Sequence, residues 1–336
     1  MATKKKRLLL PDAMARPGWD LVKTRADVEA IAFTPGIPTA DFRRMLADAN
    51  GVALTFTPVR ADDIAVAPQL RAVARIGVGY DTVDVEELTR RGIPLMTTGT
   101  DNSPTVAEYA LFMMLWLCKH AAVLDSVPRQ GRWPERYQQL SEELLGKTLL
   151  IIGFGRIGTR VAKRCLPLDM NVEVYDPYVV AETIRAAGCE PVTDLDAALA
   201  RADFVSLHCP KTPDTTGMFD AARLSRMKPG ARLINTARGG IVDEAALYAA
   251  LAAGKLAGAG IDVFSPEPPL TDNPLFTLAN VITAPHMAGN SRESLDRASL
   301  TVARNLLTVL DGGVPSAEYL VNPDALRARP QNGDEK

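Results

Sequence analysis

The stretch that decides the fold class is TLLIIGFGRIG, residues 148–158. It places Gly153, Gly155 and Gly158 in G-x-G-x-x-G spacing, after a short apolar run and before the helical pattern RIGTRVAKRC. The chain then returns to a strand pattern, VEVYD, which ends at Asp176. Glycines so placed allow a tight turn and bring the backbone close to a pyrophosphate, whose charge meets the N-terminus of the helix. The stretch therefore predicts a dinucleotide-binding βαβ unit, and the alternative of a glycine-rich turn in a flavodoxin-like fold explains fewer of these features.

The position of Asp176, 18 residues after Gly158, bears on the choice of cofactor. A carboxylate at the end of this second strand accepts hydrogen bonds from the 2′-hydroxyl of the adenosine ribose. Its charge would repel a 2′-phosphate at the same place. We therefore expect NAD to be bound in preference to NADP.

Strand and helix patterns alternate along the chain, which predicts parallel sheets with helices on both faces. The strand candidates are RLLL, EAIAF, GVALTF, LRAVARIG and GIPLMT in the first hundred residues, then TLLIIG, NVEVYD, ADFVSLH, ARLINTA, GAGIDVF and NVITA. A chain of 336 residues exceeds the roughly 250–300 that one core sustains. We expect a substrate domain at 1–101, completed by about 291–336, a dinucleotide-binding domain at 102–290, and an active site in the cleft between them. The helix at about 291–311 would cross back to the first domain.

A long helical pattern separates the two halves, from about Pro104 to Asp125. Its apolar run YALFMMLWLC, Tyr109 to Cys118, is ten residues long, whereas a membrane span needs about 20. Apolar residues cover its whole circumference, so we expect it to be buried on all sides at a domain or subunit interface.

The composition argues against several function classes. A net charge of −2 gives no bulk electrostatic reason to expect nucleic acid as a partner. The basic start MATKKKRLLLP has too short an apolar segment for a signal peptide, so we expect a solvated tail, and RARPQNGDEK reads as a polar tail. The four cysteines show no C-x-x-C spacing and lie in apolar surroundings. They predict reduced thiols in a cytoplasmic protein, with no disulfide, zinc or other metal required.

Three ionisable residues follow strand patterns in the last part of the second half. Arg238 follows RLINTA, Glu267 comes three residues after AGIDVF, and His286 follows NVITAP. Ligands of doubly wound sheets bind outside the carboxyl ends of the strands. We therefore expect all three residues along one rim, with Asp262 close enough to contact the cofactor. Each residue alone also fits a plainer role, as a surface arginine, a solvated turn glutamate or a loop histidine.

Together these side chains suit the reduction of a carbonyl by NADH. The alkoxide that forms needs a proton from a group that titrates near neutrality, and a histidine such as His286 fits. A carboxylate such as Glu267 orients the imidazole and stabilises its cationic form. The fork of Arg238 suits a substrate carboxylate and can polarise the neighbouring carbonyl. The set predicts His286 as the proton donor.

The sequence resembles the D-isomer-specific 2-hydroxyacid dehydrogenases over about two thirds of its length. The matching stretches, in family order, are RIGVGYDTVD, NSPTVAEYAL, IIGFGRIG, YDP, LHCPKTPDTTGM, INTARGGIVDEAAL, GAGIDVFSPEP and NVITAPHMAG. The resemblance implies two doubly wound domains, a Rossmann cofactor domain and a flavodoxin-like substrate domain. It also implies an NAD-dependent enzyme for small D-2-hydroxy acids and 2-keto acids, with Arg238, Glu267 and His286 as the catalytic set.

The resemblance assigns further roles residue by residue. It implies that Val78 and Gly79 present backbone N–H groups to the substrate carboxylate, as Arg238 does with its side chain. It implies a homodimer joined through the cofactor domain, where the Tyr109–Cys118 helix would be buried. Beyond the glycines and Asp176, the cofactor would be lined by Arg156 and Ile157 at the pyrophosphate and elsewhere by Cys209, Thr236, Asp262 and Gly289.

The substrate and one alternative function stay open at this point. Glu267 argues against the formate-oxidising branch, which carries glutamine there. ALTFTP lacks an arginine often found in the phosphoglycerate branch, whereas Arg75 matches a basic position in some of its members. Phosphoglycerate, hydroxypyruvate, glyoxylate and bulkier keto acids all remain candidates. NAD-sensing corepressors share the fold and can keep the same three residues, so an NAD-sensing binding protein is the alternative.

Overall fold

The computed structural model of the protein describes residues 5–327. The first four residues of the basic start and the polar tail beyond residue 327 lie outside the described residues, so the predictions made for them are not addressed by the structure. The chain divides into two compact units. The first runs to Asn102 and resumes at Ser291, and the second is Ser103–Asn290.

The regular elements alternate between strand and helix along the chain. The strands are β1 (Lys6–Pro11), β2 (Val28–Phe33), β3 (Gly51–Leu54), β4 (Ala72–Arg75), β5 (Leu95–Met96), β6 (Thr148–Ile152), β7 (Asn171–Tyr175), β8 (Glu190–Pro191), β9 (Phe204–Leu207), β10 (Arg232–Asn235), β11 (Gly258–Ile261) and β12 (Val281–Thr283). The helices are α1 (Arg16–Lys23), α2 (Thr39–Leu46), α3 (Ala61–Ala65), α4 (Val85–Arg90), α5 (Ser103–Cys118), α6 (Ala121–Arg129), α7 (Gly158–Cys165), α8 (Ala181–Ala186), α9 (Leu195–Leu199), α10 (Ala221–Arg226), α11 (Glu244–Ala252) and α12 (Arg292–Leu310). Short 3₁₀ helices lie at Trp133–Tyr137, Leu166–Leu168, Pro274–Thr277 and Pro323–Leu326.

The first unit is a parallel sheet in the order β2-β1-β3-β4-β5, the flavodoxin-like order. Its strands alternate between two buried faces, since Leu9 packs with the side chains of α2, α3 and α4, whereas Leu8 packs with those of α1 and α12. The approach of α1 to α12 needs a glycine, because a Cβ on Gly18 would lie 2.5 Å from the carbonyl oxygen of Ser299. The last helix, α12, is thus an integral layer of the first unit.

The second unit is a parallel sheet of seven strands in the order β12-β11-β10-β9-β6-β7-β8. Helices α5 and α7 cover one face, where Ile151 is buried, and α9, α10 and α11 cover the other, where Leu150 is buried. The strand order reverses between β6 and β9, which is where open sheets of this kind bind their ligands.

The predicted fold class, two doubly wound parallel-sheet domains, is confirmed. The structure adds one strand that the sequence did not suggest, β8, which consists of Glu190 and Pro191 at the edge of the second sheet. Proline cannot donate a ladder hydrogen bond and is tolerated at an edge, so this dipeptide has no strand signal of its own.

The prediction of one unbroken helix from about 104 to 125 is wrong, whereas its burial at a domain or subunit interface stays a prediction. α5 ends at Cys118 and α6 begins at Ala121, with their axes at 59° and His120 between them at φ 48°. At this end of α5 the carbonyl of Cys118 accepts a hydrogen bond from the N–H of Glu142, at 2.8 Å. Only part of the circumference of α5 is covered within the unit, and Phe112 is 46% exposed.

Within residues 5–327, no single helix is long and apolar enough to cross a membrane. The bent pair α5 and α6 meets the length and composition criteria only when the two are taken together.

The four cysteines are free thiols. Cys118, Cys165 and Cys189 are buried, as the apolar surroundings predicted. Cys209 differs, since it is only partly buried. Burial raises the pKa of Cys165 to about 12, so this thiol is an inert core residue at neutral pH.

Candidate active site

The glycine-rich loop between β6 and α7 shows why each glycine is needed. A Cβ on Gly153, whose φ is 92°, would lie 2.7 Å from the backbone nitrogen of Cys209, and one on Gly158 would lie 2.1 Å from the carbonyl oxygen of Gly153. These two glycines are therefore required by packing. A Cβ on Gly155 would meet nothing within 4 Å in the described part of the chain, so this glycine faces open space. That space lets a ligand phosphate approach the backbone closely.

The turn before α7 contains the two residues expected at the pyrophosphate. Ile157 is the N-cap of α7, and Arg156 precedes it. The carbonyl of Arg156 accepts a hydrogen bond from Nη1 of Arg160, at 2.6 Å, inside the first turn. Because the first N–H groups of a helix have no partner within it, this turn is suited to an anion.

Asp176 connects the end of β7 to the glycine-rich loop. Its Oδ2 accepts a hydrogen bond from the N–H of Phe154 at 2.7 Å, and its Oδ1 accepts one from the N–H of Tyr178 at 2.9 Å. A carboxylate has about four lone-pair positions, so two of them stay available for ribose hydroxyls. The carboxylate is thereby fixed at the loop with spare acceptor capacity, as a ribose ligand requires.

Polar groups with free hydrogen-bonding capacity lie at the carboxyl ends of β9 and β10. Thr236 is only 7% exposed, and its hydroxyl has no hydrogen-bond partner among residues 5–327. His208 bonds Ser206 through Nε2 at 2.8 Å, whereas its buried Nδ1 has no partner in the same range. Burial lowers the pKa of His208 to about 3, so this ring is neutral, and it raises the pKa of Cys209 to about 11. The free hydroxyl and the open glycine are what a bound dinucleotide would fit.

Asp262 follows β11 and holds the loop that contains the predicted proton donor. It is 1% exposed, and its carboxylate accepts hydrogen bonds from the N–H groups of Met287 at 2.7 Å and Ala288 at 3.0 Å. Its carbonyl accepts a third from the N–H of His286, at 2.8 Å. Burial raises the pKa of the Asp262 carboxyl, and the two N–H groups oppose that effect. Asp262 thus fixes the backbone from His286 to Ala288, next to Gly289.

The structure brings Glu267 and His286 into direct contact. Nδ1 of His286 donates to Oε2 of Glu267 at 2.8 Å, and Oε1 of Glu267 accepts from the N–H of Phe264 at 3.0 Å. The side chains are 50% and 36% exposed, so a ligand can reach them. Because Glu267 occupies Nδ1, Nε2 is the nitrogen left to exchange a proton with a ligand.

Arg238 follows β10, so the three predicted catalytic residues come after the adjacent strands β10, β11 and β12. Its Nη1 donates to the carbonyl of Ala237 at 2.7 Å, and its own carbonyl accepts from Nδ2 of Asn235 at 3.0 Å. The next residue, Gly239, packs against the loop of Glu267, since a Cβ there would lie 1.7 Å from the carbonyl oxygen of Phe264. The Arg238 and Glu267 loops therefore support each other.

Val78 and Gly79 lie in the first unit, in the loop after β4. Nε of Arg75 donates to the carbonyl of Gly79 at 2.8 Å, which fixes this loop to the end of the strand. Their role toward a substrate carboxylate stays a prediction. Within residues 5–327, no group of histidine, cysteine and acidic side chains is arranged to hold a metal ion.

Sequence reasoning missed one residue, Glu244, which contacts the Glu267 loop at two points. Glu244 accepts hydrogen bonds from the N–H of Ser265 at 2.7 Å and from Nδ2 of Asn273 at 2.8 Å. Acidic residues are common in the first turn of any helix, so Glu244 carries no distinctive signal in the sequence. The contact partners are 21 and 29 residues away, a separation that no local pattern encodes.

Comparisons with known proteins identify the family. A family model described as D-isomer specific 2-hydroxyacid dehydrogenase, NAD binding domain, matches residues 111–288. The D-3-phosphoglycerate dehydrogenase of Archaeoglobus fulgidus is 41% identical over 256 residues, which cover 76% of this chain and 48% of that protein. The chain thus spans about half the length of that relative. The glyoxylate reductase of Korarchaeum cryptofilum is 39% identical over 83% of this chain and 84% of its own length.

A solved structure of the TT0316 protein from Thermus thermophilus superposes with a TM-score of 0.86 at 32% identity, and covers 94% of this chain and 99% of its own. The family resemblance predicted from the sequence motifs is therefore confirmed. The chain belongs to the D-isomer specific 2-hydroxyacid dehydrogenase family and carries its NAD-binding domain.

Proposed function

We propose that the protein interconverts a small D-2-hydroxy acid and its 2-keto acid with NAD(H). The single observation that carries the proposal is the 2.8 Å contact between Glu267 and His286 at the carboxyl edge of the cofactor-binding sheet. Bound NAD(H) supplies the hydrogen and electron pair exchanged at the substrate carbon. The remaining steps fall to the side chains of the chain itself.

In this proposal His286 moves the proton of the substrate oxygen. Nε2 gives a proton to the oxygen when the keto acid is reduced and takes one when the hydroxy acid is oxidised. The imidazolium is stabilised by the carboxylate of Glu267, which also fixes the ring through Nδ1. The N–H of Phe264 holds the other oxygen of Glu267, so the carboxylate keeps its orientation.

Arg238 is proposed to bind the substrate carboxylate and to polarise the adjacent carbonyl. A guanidinium presents two parallel N–H groups, which match a carboxylate in bidentate geometry. Val78 and Gly79 are proposed to donate backbone N–H groups to the same carboxylate. The residues proposed to hold the cofactor are Gly153, Gly155, Arg156, Ile157, Gly158, Asp176, Cys209, Thr236, Asp262 and Gly289.

The substrate is proposed at the level of its class, a small 2-keto or D-2-hydroxy acid. The relatives include proteins named D-3-phosphoglycerate dehydrogenase and glyoxylate reductase, which supports this class. The test is NADH consumption with glyoxylate, hydroxypyruvate, phosphohydroxypyruvate and bulkier 2-keto acids at equal concentration. Steady turnover of at least one acid supports the proposal. Tight NADH binding with no turnover across the panel would instead favour the alternative, an NAD-sensing binding protein like the corepressors that share the fold.

We further propose that the protein forms a homodimer through the second unit. Exposed apolar side chains recur on and after α5 and α6, and exposed apolar surface of this kind is typical of interaction sites. They are Phe112 (46% exposed), Val123 (40%), Trp133 (61%), Tyr137 (72%) and Leu140 (68%). Sedimentation velocity should show a dimer that dissociates in Phe112→Glu. Val180→Glu, at a 65% exposed apolar position outside this surface, is the matched control and should leave the dimer intact.

The cellular setting is proposed on chemical grounds. Four free thiols suit a reducing compartment, so we propose a cytoplasmic location. The net charge of −2 offers no general attraction to nucleic acid, so small molecules and a second copy of the chain are the proposed partners.

A further inference from the structure

The loop that contains Glu267 is tied to helix α11 by a single carboxylate. Glu244 is the first residue of α11, and its Oε1 accepts a hydrogen bond from the N–H of Ser265 at 2.7 Å. Its Oε2 accepts from Nδ2 of Asn273 at 2.8 Å. The two contacts lie on either side of Glu267 in the chain. Glu244 therefore fixes both ends of the segment that presents the proposed partner of His286.

Glu244 and Glu267 accept hydrogen bonds from neighbouring N–H groups at the start of the loop. The N–H of Phe264 donates to Glu267 and the next N–H, of Ser265, donates to Glu244. At the far end, Oδ1 of Asn273 accepts from the N–H of Leu275 at 3.0 Å, which fixes the amide so that Nδ2 faces Glu244. Hydrogen bonds to a charged group are stronger than those between neutral groups.

Part of this loop is separated from α11 by an open cavity. A cavity of about 470 Å³ lies between them, lined by Glu244, Tyr248, Pro266 and Leu270 among others. Leu270 is itself 65% exposed. Phe264 and Leu275 pack in the same buried cluster as Leu247 of α11. The two hydrogen bonds of Glu244 are polar links across the open part of this contact.

The side chain of Glu244 does not cap α11. Asp243 already caps the helix, since its side chain accepts a hydrogen bond from the N–H of Ala246 at 3.0 Å. Both oxygens of Glu244 point away from the helix and are used by the loop. The carboxylate thus serves the loop rather than the helix terminus.

We propose that Glu244 is a positioning residue, which keeps Glu267 within hydrogen-bond distance of His286. The inference rests on the proposed function, in which the Glu267–His286 pair transfers the proton. Glu267 and His286 are both more than a third exposed, so their mutual geometry depends on the backbone that carries them. Losing the contacts of Glu244 lets the loop move, and a displacement of about 1 Å can lower a catalytic rate by roughly a hundredfold.

The first test follows the imidazole of His286 directly, by NMR of histidine-labelled protein titrated with acid in the absence of cofactor and substrate. Two carboxylates act on this ring, Glu267 by contact and Asp262 through space, and Asp262 is left unchanged throughout. Glu267→Gln removes the charge that stabilises the imidazolium, so the titration midpoint moves to lower pH. Glu244→Ala should move it in the same direction by a smaller amount. Asp243→Ala, the matched control, loses the cap of the same helix and should leave the midpoint in place.

A midpoint that moves in Glu267→Gln and not in Glu244→Ala would overturn the positioning role, and so would an equal shift in Asp243→Ala. The titration needs no turnover, so it separates this inference from the proposed function. Shifts of the expected pattern in a protein that reduces no keto acid would keep the positioning role and reject the proposed activity. Turnover of a keto acid without those shifts would reject the positioning role and keep the proposed activity.

The second test exchanges donor and acceptor and does not depend on removing a side chain. Glu244→Gln turns an acceptor toward Asn273 into a donor, and Asn273→Asp sets a second carboxylate against Glu244. Each change alone should lower kcat by about tenfold, with the KM for NADH unchanged. The double variant restores a donor–acceptor pair, so kcat should return to within about threefold of the native value. Additive losses in the double variant would contradict a hydrogen bond that positions the loop.

Discussion

Glu267 and His286 follow the adjacent strands β11 and β12 and meet at 2.8 Å, between Oε2 of the carboxylate and Nδ1 of the ring. Asp262 anchors the histidine loop through three hydrogen bonds, and the N–H of Phe264 anchors the glutamate. Each partner is thus held by backbone contacts of its own. The pair can keep its geometry at a surface that substrate must reach.

This geometry leads to a prediction for the pH dependence of catalysis. In the proposed function, reduction of the keto acid needs protonated His286, so its rate should fall as pH rises. Oxidation needs the neutral ring, so its rate should fall as pH drops. Glu267→Gln keeps the shape and removes the negative charge next to the imidazolium, so both limbs should move to lower pH. The measurement is the single-turnover rate of hydrogen transfer across pH, because product release can mask the chemical step.

His286→Ala is the reference for that experiment. It deletes the proposed proton carrier, so it should lower the rate more than Glu267→Gln does in both directions. The pH profile of Glu267→Gln could match that of the native protein even though hydrogen transfer is shown to limit the rate. That result would exclude the pair as the proton-transfer unit.

A second prediction concerns Arg238. Arg238→Lys keeps the positive charge and loses the bidentate fork, so kcat/KM for the keto acid should fall by at least about tenfold, roughly 1.4 kcal/mol of transition-state stabilisation. NADH affinity, measured by fluorescence titration, should change little. Near-normal kcat/KM in this variant would remove Arg238 from the substrate site.

A third prediction concerns Asp176 and the choice between NADH and NADPH. The native protein should strongly prefer NADH, because a 2′-phosphate would meet the carboxylate that binds the N–H groups of Phe154 and Tyr178. Asp176→Ser with Tyr178→Arg should raise kcat/KM for NADPH relative to NADH by at least about tenfold. The side chain of Tyr178 is 89% exposed, so the substitution there should be tolerated.

Tyr178→Arg alone is the control for the cofactor experiment. It adds the positive charge and keeps the repelling carboxylate, so it should change the preference far less than the double variant. Equal use of NADH and NADPH by the native protein would refute the role assigned to Asp176.

The parts of the fold and site that the sequence predicted are those encoded over short distances. The spacing of Gly153, Gly155 and Gly158 after an apolar strand predicted the loop, because turn, strand and helix there are consecutive. The positions of Glu267 and His286 after strand patterns predicted a shared rim, because parallel strands all end at the same edge.

What the sequence did not predict depends on contacts between distant residues. At the break between α5 and α6 the carbonyl of Cys118 accepts a hydrogen bond from the N–H of Glu142, 24 residues later in the chain. The role of Glu244 depends on Ser265 and Asn273, and β8 depends on the neighbouring strand β7. A local helical or apolar pattern in the sequence does not identify such distant partners.

The last prediction concerns stability and follows from the pair formed by Glu142 and Arg232. Arg232 is 3% exposed, donates to Glu142 through both terminal nitrogens, and lies 5.5 Å from the centre of the Phe204 ring. Glu142→Gln leaves this buried guanidinium without its counter-charge. The free energy of unfolding should fall by about 1–3 kcal/mol, less than for a fully buried pair, because solvent reaches Glu142. Urea denaturation of the two proteins measures the difference.

The same pair predicts how that difference depends on pH. The hydrogen bond from Arg232 is the main cause of a lowered pKa of the Glu142 carboxyl in the folded protein. A lowered folded-state pKa stabilises the protein above the unfolded value, near 4.3, and this contribution is lost as pH falls through the folded value. The difference in free energy of unfolding between the native protein and Glu142→Gln should therefore be largest at pH 7 and shrink below about pH 4.

Glu182→Gln provides the matched control for the stability measurements. Glu182 pairs with Arg185 at 3.8 Å in the same unit, and both side chains are more than half exposed. An exposed pair of this kind contributes about 0–1 kcal/mol, so the control should lose little stability at any pH. An equal loss in both variants, or a gap for Glu142→Gln that persists unchanged at low pH, would contradict an electrostatic role for the Glu142–Arg232 pair. A loss confined to Glu142→Gln that fades with acid would support it, since only the carboxylate titrates in that range.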